Sequence, residues 1–282
     1  MNIVLTGSTG FIGKKLSEKL SNNKKYRVLN LVRSNLKNFK KEKYLKCDLS
    51  KIDKYKKKIC DFKPDTLIHL AWDKIPNFNK KNSQENEINS KKLIDFFCKN
   101  TKIKHIIISG SCFEIKSPNK SYAYFIKAKK SILHYLKLQS KSYKIQYNWL
   151  RFFYVYGPGQ RSKSIIPYLI SCIKKNISGR INEPNKRHDF VFIDDVIESI
   201  ILTIKNSRRS SVFEIGSGQL TSINKIIGIL KKISNSKIIL NKNNNSKINL
   251  ILKAKTHKTR KDIFWTPKVN LLKGLKKTFK SL

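Results

Sequence analysis

Acidic residues are scarce in this chain of 282 residues: 18 Asp and Glu stand against 61 Lys and Arg, giving a formal net charge of +43. Long apolar runs are missing too, because no stretch reaches the roughly 18–20 residues that a membrane span needs. The N-terminus has no basic leader ahead of an apolar stretch, so we expect no signal peptide. These absences predict a cytoplasmic protein without a membrane partner.

The chain also lacks a C-x-x-C pair, and its histidines show no metal-ligand spacing. An odd number of cysteines in apolar surroundings is typical of reduced structural thiols in a cytoplasmic protein. The absence of a ligand spacing predicts no metal site. These expectations cover five cysteines and five histidines, at positions 47, 60, 98, 112 and 172 and at 69, 105, 134, 188 and 257.

The positive charge has two interpretations. One is a polyanionic partner, such as nucleic acid or an acidic membrane surface. The other is a compositional bias towards lysine. Proteins that bind nucleic acids specifically rely on Arg for bidentate contacts, so a chain rich in Lys and poor in Arg fits this second interpretation better. Here nine Arg accompany 52 Lys, with abundant Asn and Ile. We favour bias and expect no specific nucleic-acid partner, although anions should still be attracted at low salt.

Short apolar runs alternate with helical patterns over the first two thirds of the chain. Strands are predicted at residues 3–5, 28–32, 44–47, 66–70 and 106–108, and helices lie between them, for example at 11–20, 91–98 and 125–138. Such alternation predicts an α/β fold with a doubly wound, mainly parallel sheet. We expect a first domain at residues 1–160 and a smaller lobe at 161–282, some of whose elements return to the first domain.

A glycine-rich turn follows the first predicted strand and opens the first predicted helix. It reads Thr-Gly-Ser-Thr-Gly-Phe-Ile-Gly over residues 6–13. Gly7 permits the tight turn, Gly10 lets a pyrophosphate approach the backbone, and Gly13 lets the helix pack close to the strand. The helix N-terminus then offers N–H groups to phosphates. The turn predicts dinucleotide binding by residues Gly7, Thr9, Gly10, Phe11, Ile12 and Gly13.

With this turn and further motifs, the chain resembles the extended short-chain dehydrogenase/reductase family of nucleotide-sugar epimerases, dehydratases and reductases. The motifs are Asp48-Leu49, His69-Leu70-Ala71-Trp72, Ser109-Gly110-Ser111, Leu150-Arg151, Tyr156-Gly157-Pro158-Gly159-Gln160, the Arg187 to Val196 segment and Trp265-Thr266-Pro267. The resemblance implies a Rossmann-type sheet with a C-terminal substrate-binding lobe, a nucleotide-diphosphate sugar as substrate, and a possible homodimer. It places Asp48, Leu49, Leu70 and Ala71 at the cofactor, and Arg151 and Arg187 at the substrate.

Two residues bear on which nicotinamide cofactor is used. An acidic residue that would accept the ribose hydroxyls of NAD is missing after the second strand, where Val32 is followed by Arg33. Because Arg33 can pair with a 2′-phosphate, we favour NADP, with NAD possible. Asp48 matches the family residue that approaches the adenine, but a helix N-cap explains it equally well.

The catalytic residues depart from the family pattern. The family uses a Ser or Thr with a Tyr-x-x-x-Lys pair on one helical face, the Lys lowering the pKa of the Tyr. Ser111 and Lys129 match, but Phe125 stands at the Tyr position. Either Tyr124 is recruited as proton donor by a shift of the helix start, or Tyr122 reaches in from the preceding turn, or the chemistry is impaired.

The resemblance therefore implies an NAD(P)-dependent enzyme that reduces or epimerises a nucleotide-diphosphate sugar, and we favour C4 as the reacting position, in deoxysugar or surface-polysaccharide synthesis. Dehydration is disfavoured, because family dehydratases carry an Asp-Glu pair after the catalytic Thr and here Cys112 and Phe113 follow Ser111. The alternative is a catalytically impaired member of the family that binds NAD(P) or RNA.

Overall fold

A computed structural model of the chain describes residues 1–34, 43–236, 241–243 and 251–282. The chain divides into two compact units, the first made of residues 1–151 and 208–213, and the second of residues 152–207 and 214–282. The domain boundary that we expected at residue 160 differs from this division. The first unit ends at Arg151 and takes in a later segment as well.

The strands are β1 (Asn2–Thr6), β2 (Arg27–Val32), β3 (Lys43–Lys46), β4 (Thr66–His69), β5 (His105–Ser111), β6 (Gln146–Phe152), β7 (Tyr154–Tyr156), β8 (Arg180–Asn182), β9 (Arg187–Phe192), β10 (Ser211–Ile215), β11 (Leu220–Ser222) and β12 (Asn241–Asn243). The helices are α1 (Phe11–Ser21), α2 (Lys56–Asp61), α3 (Lys80–Asn100), α4 (Ala123–Tyr143), α5 (Ile165–Lys174), α6 (Ile193–Asn206), α7 (Ile223–Ser234), α8 (His257–Ile263) and α9 (Leu271–Ser281).

Seven strands form the main sheet, in the order β10-β6-β5-β4-β1-β2-β3. From β5 to β3 each neighbouring pair is parallel. The chain order doubles back on either side of β1, so the α/β class and the doubly wound sheet predicted from the sequence are confirmed. Parallel strands covered on both faces need apolar residues on both, which explains the unbroken runs of Ile, Val and Leu in β1, β4 and β5.

Several elements extend beyond the sequence prediction. Helix α3 begins at Lys80, whereas apolar periodicity marked only residues 91–98, because its first turns bury polar side chains such as Asn82, Ser83 and Asn86. Strand β5 runs on to Ser111, three residues past its apolar stretch. The polar run Asn-Lys-Asn-Asn-Asn-Ser-Lys at residues 241–247 is typical of a surface loop. Residues 241–243 form β12, and residues 244–247 lie outside the described part of the chain.

The second unit contains a three-stranded sheet, β11-β9-β7, and a pairing of β12 with β8. Asp189 on β9 is fully buried, and its carboxylate accepts hydrogen bonds from the backbone N–H groups of Ser217, Gly218 and Ala254. The carboxylate of Asp195 on α6 likewise accepts from backbone N–H groups at residues 268 and 269. In the sequence alone, Asp194 and Asp195 fit a helix cap. In the structure, Asp195 instead anchors the segment before α9.

Among the described helices, none combines the length and the apolar composition required to cross a bilayer. The same described residues contain no cluster of three or more His, Cys, Asp or Glu side chains arranged to hold a metal ion.

Candidate active site

The turn between β1 and α1 is so tight that Gly7 in the turn and Gly13 in α1 have no room for a side chain. Gly7 has a φ of +77°, and a Cβ there would lie 2.7 Å from the backbone nitrogen of Ala71. A Cβ on Gly13 would lie 2.0 Å from the carbonyl oxygen of Gly7. Glycine is therefore required at both positions, one for backbone conformation and one for the close approach of α1 to the turn.

The beginning of α1 suits a phosphate group. Gly10 is the N-cap, no side chain caps the helix, and no acidic residue lies in its first turn, so its N–H groups keep their positive potential. Side chains cap α3, α7 and α9, whereas α4 and α5 share the uncapped start of α1. A Cβ on Gly10 would meet only the Gly7 carbonyl, at 3.3 Å. The residues present therefore fit a dinucleotide whose pyrophosphate rests on α1.

A buried hydrogen-bond chain joins the carboxyl ends of β1 and β4 to α3. Thr6 Oγ1 lies 2.7 Å from His69 Nδ1, and His69 Nε2 lies 3.0 Å from Ser90 Oγ, which donates to the carbonyl of Asn86. The backbone N–H of Ala71 donates to Thr6 Oγ1 at 3.4 Å. Burial lowers the pKa of His69 to about 3, with the charge of Lys129 acting in the same direction. A neutral His69 therefore holds the expected cofactor residues Leu70 and Ala71 against Gly7.

The two residues expected at the adenosine end have other partners in the structure. Arg33 Nη1 pairs with Asp73 Oδ1 at 2.6 Å, and both side chains are largely exposed. Asp48 is the N-cap of the short 3₁₀ helix that begins at Leu49, and its carboxylate accepts from the N–H and Oγ of Ser50. These hydrogen bonds lower the pKa of Asp48. The N-cap interpretation of Asp48 is therefore the one that the structure realises.

Ser111 lies at the carboxyl end of β5, and its hydroxyl oxygen accepts from the backbone N–H of Phe113 at 3.2 Å. A hydroxyl that accepts one hydrogen bond keeps its own hydrogen for donation. Lys129, on the second turn of α4, donates from Nζ to the carbonyl of Ser109 at 2.7 Å. The backbone of β5 thus brings Ser111 and Lys129 to the same strand end.

Aromatic rings surround the Lys129 ammonium. Its Nζ lies 4.3 Å from the ring centroid of Trp72, 5.7 Å from that of Trp149 and 5.9 Å from that of Phe125. Burial lowers the pKa of Lys129 to about 8, while the negative charge of Glu114 opposes the shift. Cation–π attraction to three rings compensates part of the lost hydration. The Lys129 ammonium therefore loses its proton more readily than that of an exposed lysine.

The structure brings Phe125, and neither tyrosine, against Lys129. Phe125 is buried one helical turn before the lysine and packs edge-on against Trp72, with ring centroids 5.0 Å apart. Tyr124 is 48% exposed, since one helical step turns a side chain by about 100°. Tyr122 is held by Phe78 and Phe113, at centroid distances of 5.2 and 4.7 Å. The expected recruitment of Tyr124 finds no support in this geometry.

The model of the NAD dependent epimerase/dehydratase family matches residues 3–216, which is most of the chain. The chain belongs to this family. The resemblance identified from the motifs is thereby confirmed. The matched range contains the glycine turn, Ser111 and Lys129.

Curated relatives and solved structures agree with the family. A dTDP-4-dehydro-6-deoxyglucose reductase of Escherichia coli is 24% identical over 99% of this chain and 97% of its own length. A putative UDP-glucose 4-epimerase of Methanocaldococcus jannaschii is 27% identical over 81% of each chain. The solved UDP-glucose 4-epimerase of Thermotoga maritima, with UDP-glucose, superposes with a TM-score of 0.87 at 23% identity, covering 100% of this chain and 98% of its own. This last likeness shows that the epimerase fold is shared.

The two arginines expected at the substrate of this epimerase/dehydratase-family chain differ in their surroundings. Arg151, in the first unit, donates from Nε to Glu114 Oε2 at 3.1 Å, and its side chain is 23% exposed. Arg187, in the second unit, is exposed at the start of β9. Arg151 is thus already engaged with a carboxylate, whereas Arg187 presents its guanidinium to solvent.

Glu114 was not among the site residues expected from the sequence. It is a fully buried carboxylate that ends the short 3₁₀ helix Cys112–Glu114 after β5, and it accepts hydrogen bonds from the Ser111 N–H, the Trp149 indole and Arg151. The signal was present, because Ser111 and Glu114 form the S-x-x-E pattern of a capping box. The family usually has alanine at the position of Trp72, and the contact of Trp72 with Lys129 was not expected from the sequence.

Proposed function

We propose that the chain is an NAD(P)-dependent cytoplasmic enzyme that reduces or epimerises C4 of the sugar in a nucleotide-diphosphate sugar. Family membership and relatives named as a 4-keto sugar reductase and a 4-epimerase support this proposal. The single observation that carries it is the glycine turn at the uncapped start of α1. Its product would serve deoxysugar or surface-polysaccharide synthesis.

The dinucleotide would lie on the turn formed by Gly7, Thr9, Gly10 and Gly13, beside Phe11, Ile12, Leu70 and Ala71. Its nicotinamide supplies or accepts a hydride when bound. We favour NADP, because Arg33 is exposed and can turn from Asp73 to a 2′-phosphate at little cost. Asp48 and Leu49 would border the adenine with backbone groups, since the Asp48 carboxylate is engaged with Ser50.

Two side chains would act on the sugar. The Ser111 hydroxyl donates a hydrogen bond to the reacting sugar oxygen, because its own oxygen is already an acceptor for Phe113. The Lys129 ammonium supplies positive charge to the same region and is held in place by the Ser109 carbonyl. Arg187 would contact the diphosphate, a role that suits a solvent-facing guanidinium. Arg151 would border the sugar from its position beside Glu114.

The decisive experiment incubates the purified protein with NADPH or NADH and a panel of 4-keto nucleotide sugars, following loss of absorbance of the reduced cofactor. A parallel incubation with NAD(P)⁺ and 4-hydroxy nucleotide sugars tests epimerisation by product analysis. We expect turnover with at least one sugar, with Ser111→Ala and Lys129→Met both slower. Tyr124→Phe tests the hydroxyl that the sequence nominates. The proposal fails if no sugar in either panel is converted while the cofactor binds tightly.

That failing outcome would favour a second function, a binding protein that holds NAD(P) without turnover. The observation behind it is the buried Phe125 at the position of the family tyrosine, because phenylalanine has no proton to give. Isothermal titration with cofactor and nucleotide sugar separates the two functions. Binding of both ligands without product would support the second.

A further inference from the structure

Glu114 is a carboxylate without solvent contact, and the sequence between β5 and α4 is arranged around it. Its side chain is 0% exposed. Oε1 accepts from the Ser111 N–H at 2.6 Å, and Oε2 accepts from Trp149 Nε1 at 2.9 Å and Arg151 Nε at 3.1 Å. A buried charge is tolerated only when donors of this kind surround it. The carboxylate is therefore the centre of a closed network.

The network reaches Ser111 through the backbone. The Glu114 carboxylate holds the Ser111 N–H while the Ser111 hydroxyl holds the Phe113 N–H, a reciprocal capping box. Gly110 makes the arrangement possible, because a Cβ there would lie 2.7 Å from Glu114 Oε1 and 2.1 Å from Trp149 Nε1. The carboxylate thus lies against the strand and fixes the point at which the chain leaves β5.

The network reaches Lys129 through Trp149 and through charge. The indole that donates to Glu114 has its ring centroid 5.7 Å from Lys129 Nζ. Two titratable groups act on the lysine: the charge of Glu114 favours the ammonium, and neutral His69 lies beside it on β4. Lys129 Nζ also lies near the rings of Trp72 and Phe125 and donates to the Ser109 carbonyl. Among the described residues, Glu114 is the acidic group whose charge favours the ammonium.

We propose that Glu114 is a positioning residue that fixes the placement of Ser111 and, through Trp149, the surroundings of the Lys129 ammonium, with Arg151 serving as its counter-ion. The inference rests on the proposed function for its catalytic consequence, but its physical content does not. With Phe125 in place of a tyrosine, Ser111 and Lys129 are the two polar groups of the family triad that this chain retains. The proposed reaction then depends more strongly on where Ser111 and Lys129 lie and on the charge of Lys129.

The first test measures the Lys129 pKa directly. Competitive acetylation across a pH series, read at the Lys129 peptide by mass spectrometry, is compared in wild type and Glu114→Gln. We expect the Lys129 pKa to fall by about one unit in the variant, since a nearby opposite charge is lost. The matched control is Glu87→Gln, which removes a carboxylate held by Lys91 and Ser131 elsewhere in the same unit. An equal Lys129 pKa in wild type and Glu114→Gln would overturn the proposal.

The second test separates positioning from structure. Glu114→Gln should lower kcat by about 10–100-fold with KM for the sugar nearly unchanged, as misplaced catalytic groups do. In a Ser111→Ala background the same change should cost less, because the part of the effect that acts through the Ser111 hydroxyl is already lost. Fully additive losses would contradict the proposal. If wild type itself turns over no sugar, the proposed function has failed while the acetylation experiment still tests Glu114.

Should Glu114→Gln fail to fold, Arg151→Gln tests the same network from its other end. Removing the guanidinium leaves the Glu114 charge uncompensated, so the Lys129 pKa should rise rather than fall. An unchanged or lowered Lys129 pKa in a folded Arg151→Gln protein would reject the coupling.

Discussion

The turn between β1 and α1 and the segment from β5 into α4 differ in the kind of group that forms them. The first is made of backbone: three glycines, an uncapped helix start and no charged side chain. The second is made of side chains: Trp149 donates to Glu114, and the rings of Trp149 and Phe125 lie 5.7 and 5.9 Å from Lys129 Nζ. The turn depends on glycine at fixed positions, whereas the second region depends on the identity of several side chains. A substitution in one region can therefore leave the other intact.

The largest effect should come from breaking the backbone site. In Gly13→Ala the new Cβ would lie 2.0 Å from the Gly7 carbonyl, so α1 must move away from the turn. We expect a loss of about 3–5 kcal/mol, shared between folding and cofactor binding. Urea unfolding and titration with NADPH measure the two parts.

The matched control for that change is Gly228→Ala in α7. A Cβ there meets nothing within 4 Å, and the residue lies inside a helix. Alanine should therefore stabilise the protein by about 0.5–1 kcal/mol and leave NADPH affinity unchanged. If both variants behaved alike, close packing at Gly13 would not be the cause.

The next effect comes from repairing the side-chain site. Phe125→Tyr places a phenol one turn before Lys129, where the ammonium lowers the pKa of the phenol. General acid–base catalysis by a positioned group contributes about 10²–10⁴-fold, so we expect turnover to rise by about 100-fold. Initial rates with the best sugar of the panel measure the change.

Two controls accompany this gain. Phe125→Leu removes the ring without adding a hydroxyl and should not raise the rate. The double variant Phe125→Tyr/Lys129→Met should lose the gain, because the phenol depends on the lysine. A gain that survived without Lys129 would show that the hydroxyl acts in another way.

The same contrast explains how much could be predicted from the sequence. Backbone constraints leave glycines at fixed spacing, so the turn, the sheet class and the family were evident from residues 6–13 onward. Apolar runs predicted β1, β2 and β4, but the polar first turns of α3 left no periodic signal. The spacing of the Tyr-x-x-x-Lys motif predicted that Phe125 and Lys129 lie on one face of a helix, as they do on α4. What surrounds Lys129 was not predictable, because Trp72 follows β4 and Trp149 lies on β6, both distant in sequence from Lys129.

A third prediction concerns the buried hydrogen-bond chain that joins the carboxyl ends of β1 and β4 to α3. The folded pKa of His69, about 3, lies below its ordinary value of 6.5, so the unfolded chain binds the proton more readily. Stability that is present above about pH 6.5 is therefore lost as the pH falls towards 3. The difference between wild type and His69→Gln should change by about 2 kcal/mol between about pH 7 and about pH 5. Urea unfolding at each pH measures it, and a constant difference would contradict the neutral histidine.

The smallest effect tests whether a side chain adds selectivity to the backbone-built cofactor site. Arg33 is 75% exposed, and its pair with Asp73 contributes little to stability, so the guanidinium is free to exchange Asp73 for a 2′-phosphate. Arg33→Asp should lower the ratio of NADPH to NADH affinity by about 10-fold. Arg27→Asp changes the net charge equally but lies at the opposite end of β2. In a chain with a net charge of +43, that control separates a local contact from general attraction of anions. If both variants lower the ratio equally, the overall charge is responsible, and if neither does, the preference for NADP has no basis at Arg33.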